Sequence, residues 1–338
     1  MKFIKGLLMI SLCIFLLGAT VFLISFGAAG WDPEALSAVE KENVTHKPEG
    51  NIKSFELDMD SASVSFKLSE DDALSVVCNQ SNKTRFSVRT EGDILEIEEV
   101  CAWYNRIFNW TNYSVTIYLP VGEYGSLEHE GGSSDIEVCA GLTFATLDIE
   151  SASGDIKLAC SVKGTTEVEA TSGCVSIAET TFGTLSLDTT SGDVYLSRVT
   201  VDGACSIDLT SGDITASDSA FSNLIIDSTS GEVNISGVLG NDLYITSTSG
   251  DIELYDVLMT GRLTINGTSS DIEFERCDAK NIEIVTTSGD IEGSFLTPKS
   301  FDADTTSGDE RVPYPSSGDP CRLRTTSGDI EIFIVEKQ

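Results

Sequence analysis

Acidic residues recur along this chain at a spacing that would place their side chains in one row. Each closes a copy of the tetrapeptide Thr-Ser-Gly-Asp or a close variant, and we call this last position the corner residue. Successive corner residues are 19 or 20 positions apart: Asp135, Asp155, Cys174, Asp193, Asp213, Glu232, Asp251, Asp271, Asp290, Asp309 and Asp329. Carboxylate oxygens are the ligands that Ca²⁺ prefers, so the row is a candidate calcium site.

Five aspartates of this row are the calcium candidates: Asp193, Asp213, Asp251, Asp271 and Asp290. Carboxylates stacked about 5 Å apart repel one another unless water or a cation separates them. However, the calcium-roll repeat Gly-Gly-x-Gly-x-Asp is absent from the sequence. The simpler interpretation is that each aspartate bonds the backbone of its own corner and faces water. On that interpretation the protein needs no cofactor.

Apolar residues flank each corner with strand periodicity. They stand eight and six positions before the corner residue and one and three after it, as Leu243, Ile245, Ile252 and Leu254 do around Asp251. Alternation of apolar and polar residues predicts two short strands per repeat, each with one buried side. A single repeat of this length cannot bury that side alone, but stacked repeats can.

The repeats therefore predict an all-β fold, a parallel β-solenoid of about 11 rungs, where a rung is one strand–corner–strand repeat. The usual handedness of parallel crossovers makes it right-handed. The alignment of the repeats places Ile226 inside the coil and its neighbour Ile225 outside. It also divides the exterior into a strand region, residues 51–125, and the repeat solenoid, residues 126–338.

The N-terminal segment, residues 1–30, predicts a short cytoplasmic tip and a transmembrane helix. No charged residue lies between Gly6 and Gly30. At about 1.5 Å per residue, a helix of this length would reach about 37 Å, enough to span a membrane. A cleaved secretory signal ending near Ala29 remains the alternative.

Charges around this segment predict its orientation. Lys2 and Lys5 precede it and Asp32 and Glu34 follow it, which favours a cytoplasmic N-terminus. Residues 31–50 are polar and are interpreted as a stalk. The chain is thus predicted to be a single-pass protein of the cell membrane with its C-terminal domain extracellular.

Composition limits the partners and the chemistry. The chain has 54 acidic and 21 basic residues and a formal net charge of −33, so nucleic acid is not expected to bind. The charge favours solubility or attraction to cations and basic surfaces. The two histidines, His46 and His129, form no recognisable catalytic set, and we expect no enzyme activity. A carbohydrate-active β-helix enzyme would need basic residues clustered with acids in a cleft.

Nine cysteines are present. Cys205 falls in an apolar column and is interpreted as a small buried side chain. Cys139 and Cys160 could pair between adjacent rungs, and Cys78 and Cys101 could pair across the N-terminal strands. The sequence leaves disulfide formation open.

Iterated Leu-x-Ile-x-x-x-Ser-Gly-Asp-Ile units, such as residues 243–252, together with the strands at 64–66 and 115–119, carry a family resemblance. Over residues 51 to 334 the chain resembles the bacterial putative-adhesin family, a β-strand-repeat domain of unknown function. The resemblance implies a β-solenoid behind a single membrane anchor, with no established ligand and no catalytic residues. We expect a monomeric cell-surface protein that binds an unknown surface or protein ligand, as an adhesin or scaffold. The alternative is an envelope-stress accessory that contacts a membrane partner.

Overall fold

The computed structural model describes residues 40–101, 112–314 and 317–335, together with positions 20, 23, 24 and 27. The predicted anchor, residues 1–30, therefore lies almost wholly outside the described residues. No helix in the described part of the chain is long and apolar enough to cross a membrane. From residue 40 onward, every regular element that is described is a strand.

The strands are numbered in chain order. Their bounds are β1 Glu42–His46, β2 Ser54–Met59, β3 Ser63–Leu68, β4 Ser75–Gln80, β5 Thr84–Glu91, β6 Ile94–Cys101, β7 Ser114–Leu119, β8 Gly122–Gly131, β9 Ile136–Val138, β10 Leu142–Ser153, β11 Ile156–Leu158, β12 Ser161–Ser172, β13 Val175–Ser191, β14 Val194–Ser211, β15 Ile214–Ser217, β16 Ala220–Ser230, β17 Val233–Ser236, β18 Leu239–Ser249, β19 Ile252–Tyr255, β20 Leu258–Met259, β21 Arg262–Ser269, β22 Ile272–Cys277, β23 Asn281–Val285, β24 Ile291–Phe295, β25 Lys299–Ser307, β26 Glu310–Arg311, β27 Asp319–Ser327 and β28 Ile330–Ile334.

Parallel pairing between successive rungs confirms the solenoid. Ile226 in β16 pairs with Ile207 in β14 on one side and with Ile245 in β18 on the other. The same register of one repeat holds for the strands that follow the corners, as in β15, β17 and β19. The number of turns is close to the predicted eleven.

The inner columns form one continuous hydrophobic core from Ile52 to Ile332. Alternation along each strand decides which side chains enter it, because successive residues point to opposite faces. Ile226 is 0% exposed, whereas its neighbour Ile225 is 39% exposed. The predicted register is therefore confirmed at this position.

At the N-terminal end, rungs do not stack in chain order. The β2–β3 rung comes first in the sequence, but it lies between the β6–β7 rung and the β8–β9 rung. Antiparallel strands then close the end: β5 pairs with β6, β4 with β7, and β1 with β4. Strand β1 belongs to residues 31–50, so part of the segment predicted as a stalk is a strand of the cap.

The C-terminal end repeats this inversion. Strand β27, the later one in the sequence, lies between β23 and β25, and β28 lies between β24 and β26. The stacking order of the last two rungs is therefore the reverse of their order in the chain. The connection between β26 and β27 leads the chain from the outermost rung back to the second place.

All eight cysteines among the described residues are free thiols, including Cys78, Cys101, Cys139 and Cys160. Burial raises the pKa of the Cys160 thiol to about 12 and that of Cys205 to about 12. These thiols stay protonated at neutral pH and act as small apolar side chains in the core.

Candidate functional site

The corner glycines are fixed by two independent requirements. Gly192 has φ +147°, and Gly250 has φ +123°, values that side chains rarely tolerate. A Cβ on Gly192 would also lie 2.0 Å from the carbonyl oxygen of Gly173 in the neighbouring rung. Only glycine allows the corners to stack this closely, and this close stacking aligns the corner residues in a row.

Corner aspartates bond the next rung rather than their own corner. Asp135 Oδ1 accepts the backbone N–H of Asp155 at 2.9 Å, and Asp155 Oδ1 accepts that of Cys174 at 3.0 Å. We call this series of bonds the corner ladder. The expectation of a bond within each corner is wrong, because the tight glycine stacking brings the next N–H within reach of the carboxylate.

The five calcium candidates all belong to the corner ladder. Oδ1 of each accepts the N–H of the next stacked corner: Asp193 from Asp213 at 3.0 Å, Asp213 from Glu232 at 2.9 Å, Asp251 from Asp271 at 3.3 Å, Asp271 from Asp290 at 2.9 Å, and Asp290 from Asp329 at 2.7 Å. One oxygen of every carboxylate is thus already engaged. No group of three or more His, Cys, Asp or Glu side chains suited to a metal ion occurs in the described part of the chain.

Two substitutions interrupt the ladder, and a glutamate begins it. Among the described residues, no side-chain bond from Cys174 reaches the N–H of Asp193, and none from Glu232 reaches that of Asp251. At the N-terminal end, buried Glu99 accepts the N–H groups of Ser61 at 2.8 Å and Ala62 at 3.0 Å. Glu99 thereby does for the first corner what aspartate does for the later ones.

A second set of carboxylates covers the outer side of the strands that precede the corners. They occupy the positions five and seven before the corner residue on β8, β10 and β12 and on the parts of β13, β14 and β16 before their corners. On β2 and β6 they occupy the positions that pair in register with these. We call this set the acidic face: Glu56, Asp58, Glu96, Glu98, Glu128, Glu130, Asp148, Glu150, Glu167, Glu169, Asp188, Asp208 and Asp227.

Strand register sets these acids directly beside one another. Glu150 is the register partner of Glu130 and of Glu169, and Glu169 is the partner of Asp188. Like charges opposite each other across strands are destabilising. Acids of this face line a shallow depression of about 590 Å³ on the N-terminal rungs.

Proton affinities on this face reflect the crowding. Repulsion from Glu150 and partial desolvation raise the pKa of Glu169. The pKa of Asp208 is raised by desolvation and by Asp227 and Asp188. At one end Arg89 pairs with Glu98 at 2.7 Å, and within the described residues no other ion pair reaches the face. Its charge is therefore left uncompensated.

Beyond Asp227, the acids no longer continue along the outer positions of the strands that precede the corners. Strands β18 and β21 carry Tyr244 and Thr264 at the corresponding positions, and in the last rungs acids meet arginines. Arg322 Nη1 lies 3.1 Å from Glu283 Oε1, and Arg324 Nη2 lies 2.7 Å from Asp302 Oδ2. Thus the acidic face is confined to the N-terminal half of the solenoid.

His129 lies on the opposite side of these strands, inside the coil. It is 2% exposed, neither ring nitrogen has a hydrogen-bond partner, and burial lowers its pKa to about 4. Leu57 and Ile149 are its register partners. Such a histidine is positioned by packing, and no substrate can reach it.

Sequence reasoning concentrated on the corner residues and missed the acidic face. The signal was present, because the repeat alignment that defines the inner columns also defines the outer ones. Asp188, Asp208 and Asp227 were visible as polar residues between apolar ones. Finding the whole face from the sequence would have required aligning strands β2 and β6 with the later repeats. The corner motif could not guide that alignment, because β2 and β6 lack the Ser-Gly-Asp corner.

The fold defines the class of protein as a β-solenoid built from corner-stacked repeats. The chain belongs to the Toastrack DUF4097 family, whose profile matches it in overlapping segments at residues 52–238, 165–265 and 223–338. No match was found among the curated proteins.

Solved structures similar to this chain come from several bacteria. A putative adhesin from Parabacteroides distasonis is 13% identical with a TM-score of 0.45, covering 77% of this chain and 98% of that one. One from Bacteroides fragilis is 13% identical with a TM-score of 0.33, covering 87% and 97%. A putative lipid-binding protein from Parabacteroides distasonis is 16% identical with a TM-score of 0.40, covering 87% and 97%.

Proposed function

We propose that this protein is a membrane-anchored, cell-surface solenoid that binds a cationic partner through the acidic face. The observation that carries the proposal is the in-register stacking of uncompensated carboxylates across the N-terminal rungs. Repulsion between them costs stability in the free protein, and a cationic partner would relieve it on binding. A purely solubilising charge has no need of such alignment.

The rigid strands beneath the face support this role. Each carboxylate stands on a strand that is hydrogen-bonded on both sides and packed on the core, so its position is held before a partner arrives. Neighbouring acids are about 5 Å apart along the stack. An extended, lysine-rich segment could place successive ammonium groups against several rungs at once.

A lysine-rich peptide, with its fully acetylated form as the uncharged control, tests the proposal directly. Two variants of the full chain have equal net charge. One carries Glu130→Gln, Glu150→Gln and Glu169→Gln on the acidic face. The other carries Glu253→Gln, Glu273→Gln and Glu292→Gln, three acids that are also register partners but lie on the strands that follow the corners. The first variant should lose most of the binding measured by calorimetry, and the second should keep it. Equal losses would mean that net charge alone acts and would overturn the proposal.

Surface display is the second part of the proposal and has its own test. Protease added to intact cells should digest the solenoid and leave a protected N-terminal fragment containing residues 1–30. The charge asymmetry around Gly6–Gly30 motivates this topology. A secreted mature protein beginning near Trp31 would contradict the anchor while leaving the role of the acidic face intact.

A further inference from the structure

The C-terminal end of the stack is an open edge. Its outermost rung consists of β25 and β26. Within the residues that the structure describes, β25 pairs with β27 alone and β26 pairs with β28 alone. The other edge of β25 therefore has backbone N–H and C=O groups with no strand to bond them. An edge of this kind is a template for a further strand.

The hydrophobic core is only partly covered at the same end. Phe301 and Ala303 on the inner side of β25 are half-buried. Their register partners one rung further in, Cys321 and Leu323, are 1% and 0% exposed. At the N-terminal end, by contrast, the closing strand β5 keeps its inner residue Phe86 only 6% exposed. The inner side of β25 therefore gains burial if another strand is added beyond it.

Charges at this end permit the approach of another acidic chain. The outer residues Asp302 and Asp304 of β25 have Arg322 and Arg324 of β27 as their register partners. Arg324 Nη2 lies 2.7 Å from Asp302 Oδ2. Two acids are thus matched by two arginines on the outer side of the last strand pair, although the chain as a whole has a net charge of −33. A second copy would meet less repulsion here than on the acidic face.

We propose that two copies of this chain pair through β25. The strand can align antiparallel with itself about a two-fold axis through Ala303, the middle residue of Lys299–Ser307. Because this axis is normal to the sheet, side chains that point inward in one copy also point inward in its partner. Phe301 then stands opposite Thr305 of the partner subunit, and the two half-covered cores close each other. The interface is isologous, since the same strand is used on both sides.

The length of β25 favours this register. With the axis at Ala303, all nine residues of the strand have a partner. Moving the axis by one residue keeps the inner side chains inside but leaves two residues of each strand unpaired. In the favoured register Asp302 lies opposite Asp304 of the partner subunit, which costs stability. An arginine of β27 flanks each of these acids in its own copy, and this limits the repulsion.

Paired in this way, two solenoids form one longer rod with continuous sheets and a continuous core. The sequence led us to expect a monomer, and the open edge, which only the stacking order reveals, is the reason to expect a dimer. The two N-terminal caps lie at opposite ends of the rod. If each N-terminus is anchored as proposed above, the two copies stand on opposing membranes and join two cell surfaces. This last consequence rests on the proposed anchor, whereas the pairing itself does not.

Disulfide cross-linking of the full-length chain in mild detergent tests the register. Directly opposite residues of an antiparallel pair have Cα atoms about 4.5–5.5 Å apart, which suits a disulfide. Ala303→Cys should therefore give a linked dimer on mild oxidation, with two tryptic peptides 300–311 joined through residue 303. Thr306→Cys is the control, because its two copies would lie about 20 Å apart. Linkage no greater in Ala303→Cys than in Thr306→Cys would overturn the proposal.

Light scattering of the same preparations, corrected for detergent, measures the pairing itself. The wild type should have twice the mass of one chain. Ala303→Lys places a charge at the junction and should halve that mass, whereas Thr306→Lys adds the same charge on the outer side of β25 and should stay dimeric. A monomeric wild type or a dimeric Ala303→Lys would overturn the proposal. The glutamine variant of the acidic face should remain dimeric, so the two proposals can fail independently.

Discussion

The inner and the outer side of the solenoid are built by the same strands, yet they differ in which side chains they carry. Inside, most positions are filled by apolar or small side chains, and the buried His129 is a large polar exception that forms no hydrogen bond. Outside, the N-terminal half aligns repelling acids and the C-terminal half pairs acids with arginines. The difference shows that packing specifies the coil, whereas the outer positions were free to acquire a charge pattern that the fold does not need.

The largest expected effect contrasts two adjacent isoleucines. Ile226→Asp would put an unpaired charge into the core and should cost about 4 kcal/mol or more. Ile225→Asp changes an outer position and should cost less than about 1 kcal/mol. Thermal melts of the two variants measure the contrast. Equal losses would show that inner and outer sides are not distinguished as described.

The next effect concerns His129 and pH. The unfolded chain binds a proton near the ordinary histidine pKa of about 6.5, whereas burial lowers the pKa in the folded protein to about 4. The unfolded state therefore binds more protons between these values, and stability should fall as the pH falls through this window, by up to about 3 kcal/mol.

His129→Leu isolates that contribution. Carboxylates of the acidic face act in the opposite direction, because the raised pKa values of Glu169 and Asp208 favour the protonated folded state and add stability as the pH falls. Comparing unfolding free energies of the variant and the wild type from pH 7 to pH 4 cancels these shared terms. Parallel curves would contradict the description of His129 as a buried neutral side chain.

A smaller gain is expected where the corner ladder is interrupted. Cys174→Asn provides an oxygen for the N–H of Asp193 without adding charge and should stabilise the fold by about 1 kcal/mol. Cys174→Asp provides the same bond but adds repulsion from Asp155 and Asp193, so its gain should be smaller. Denaturant unfolding measures both, and loss of stability in Cys174→Asn would argue against bonding between rungs.

The smallest effect concerns cations. If corner aspartates are engaged only in the ladder, millimolar Ca²⁺ and Mg²⁺ should raise the melting temperature slightly and equally, by screening the acidic charge. A specific calcium site would instead give a saturable effect in which Ca²⁺ exceeds Mg²⁺. Asp193→Asn combined with Asp213→Asn would then remove the difference.

The sequence predicted the repeats, the strand periodicity and the side of each strand that is buried, because alternation at period two is a local property. Ile225 and Ile226 show how sharply it works. The order of the terminal rungs could not be predicted. Each rung presents the same apolar pattern, so Phe301 and Cys321 are equally acceptable neighbours for Ile282, and only the connecting loops decide between them.

The corner ladder and the acidic face show different limits. Asp135 carries the right chemistry for a bond within its own corner. Only the close stacking of the corner glycines in the structure shows that its carboxylate accepts the N–H of Asp155 in the next rung instead. Recognising the acidic face required the alignment of β2 and β6 with later rungs. Those strands share the inner periodicity but not the corner motif that guided the alignment.

The inverted C-terminal rungs impose an order of events on a chain that is made from its N-terminus. Strand β25 is synthesised before β27, so the free edge of β23 meets β25 first, although its partner in the final structure is β27. If β25 docks there, its apolar residues fit the column well enough to delay its release. The native end requires β27 to pair with β23 and β25 to pair with β27 instead. The solenoid therefore cannot be finished by simple addition of rungs, and its completion is a competition between two nearly equivalent strands for one edge.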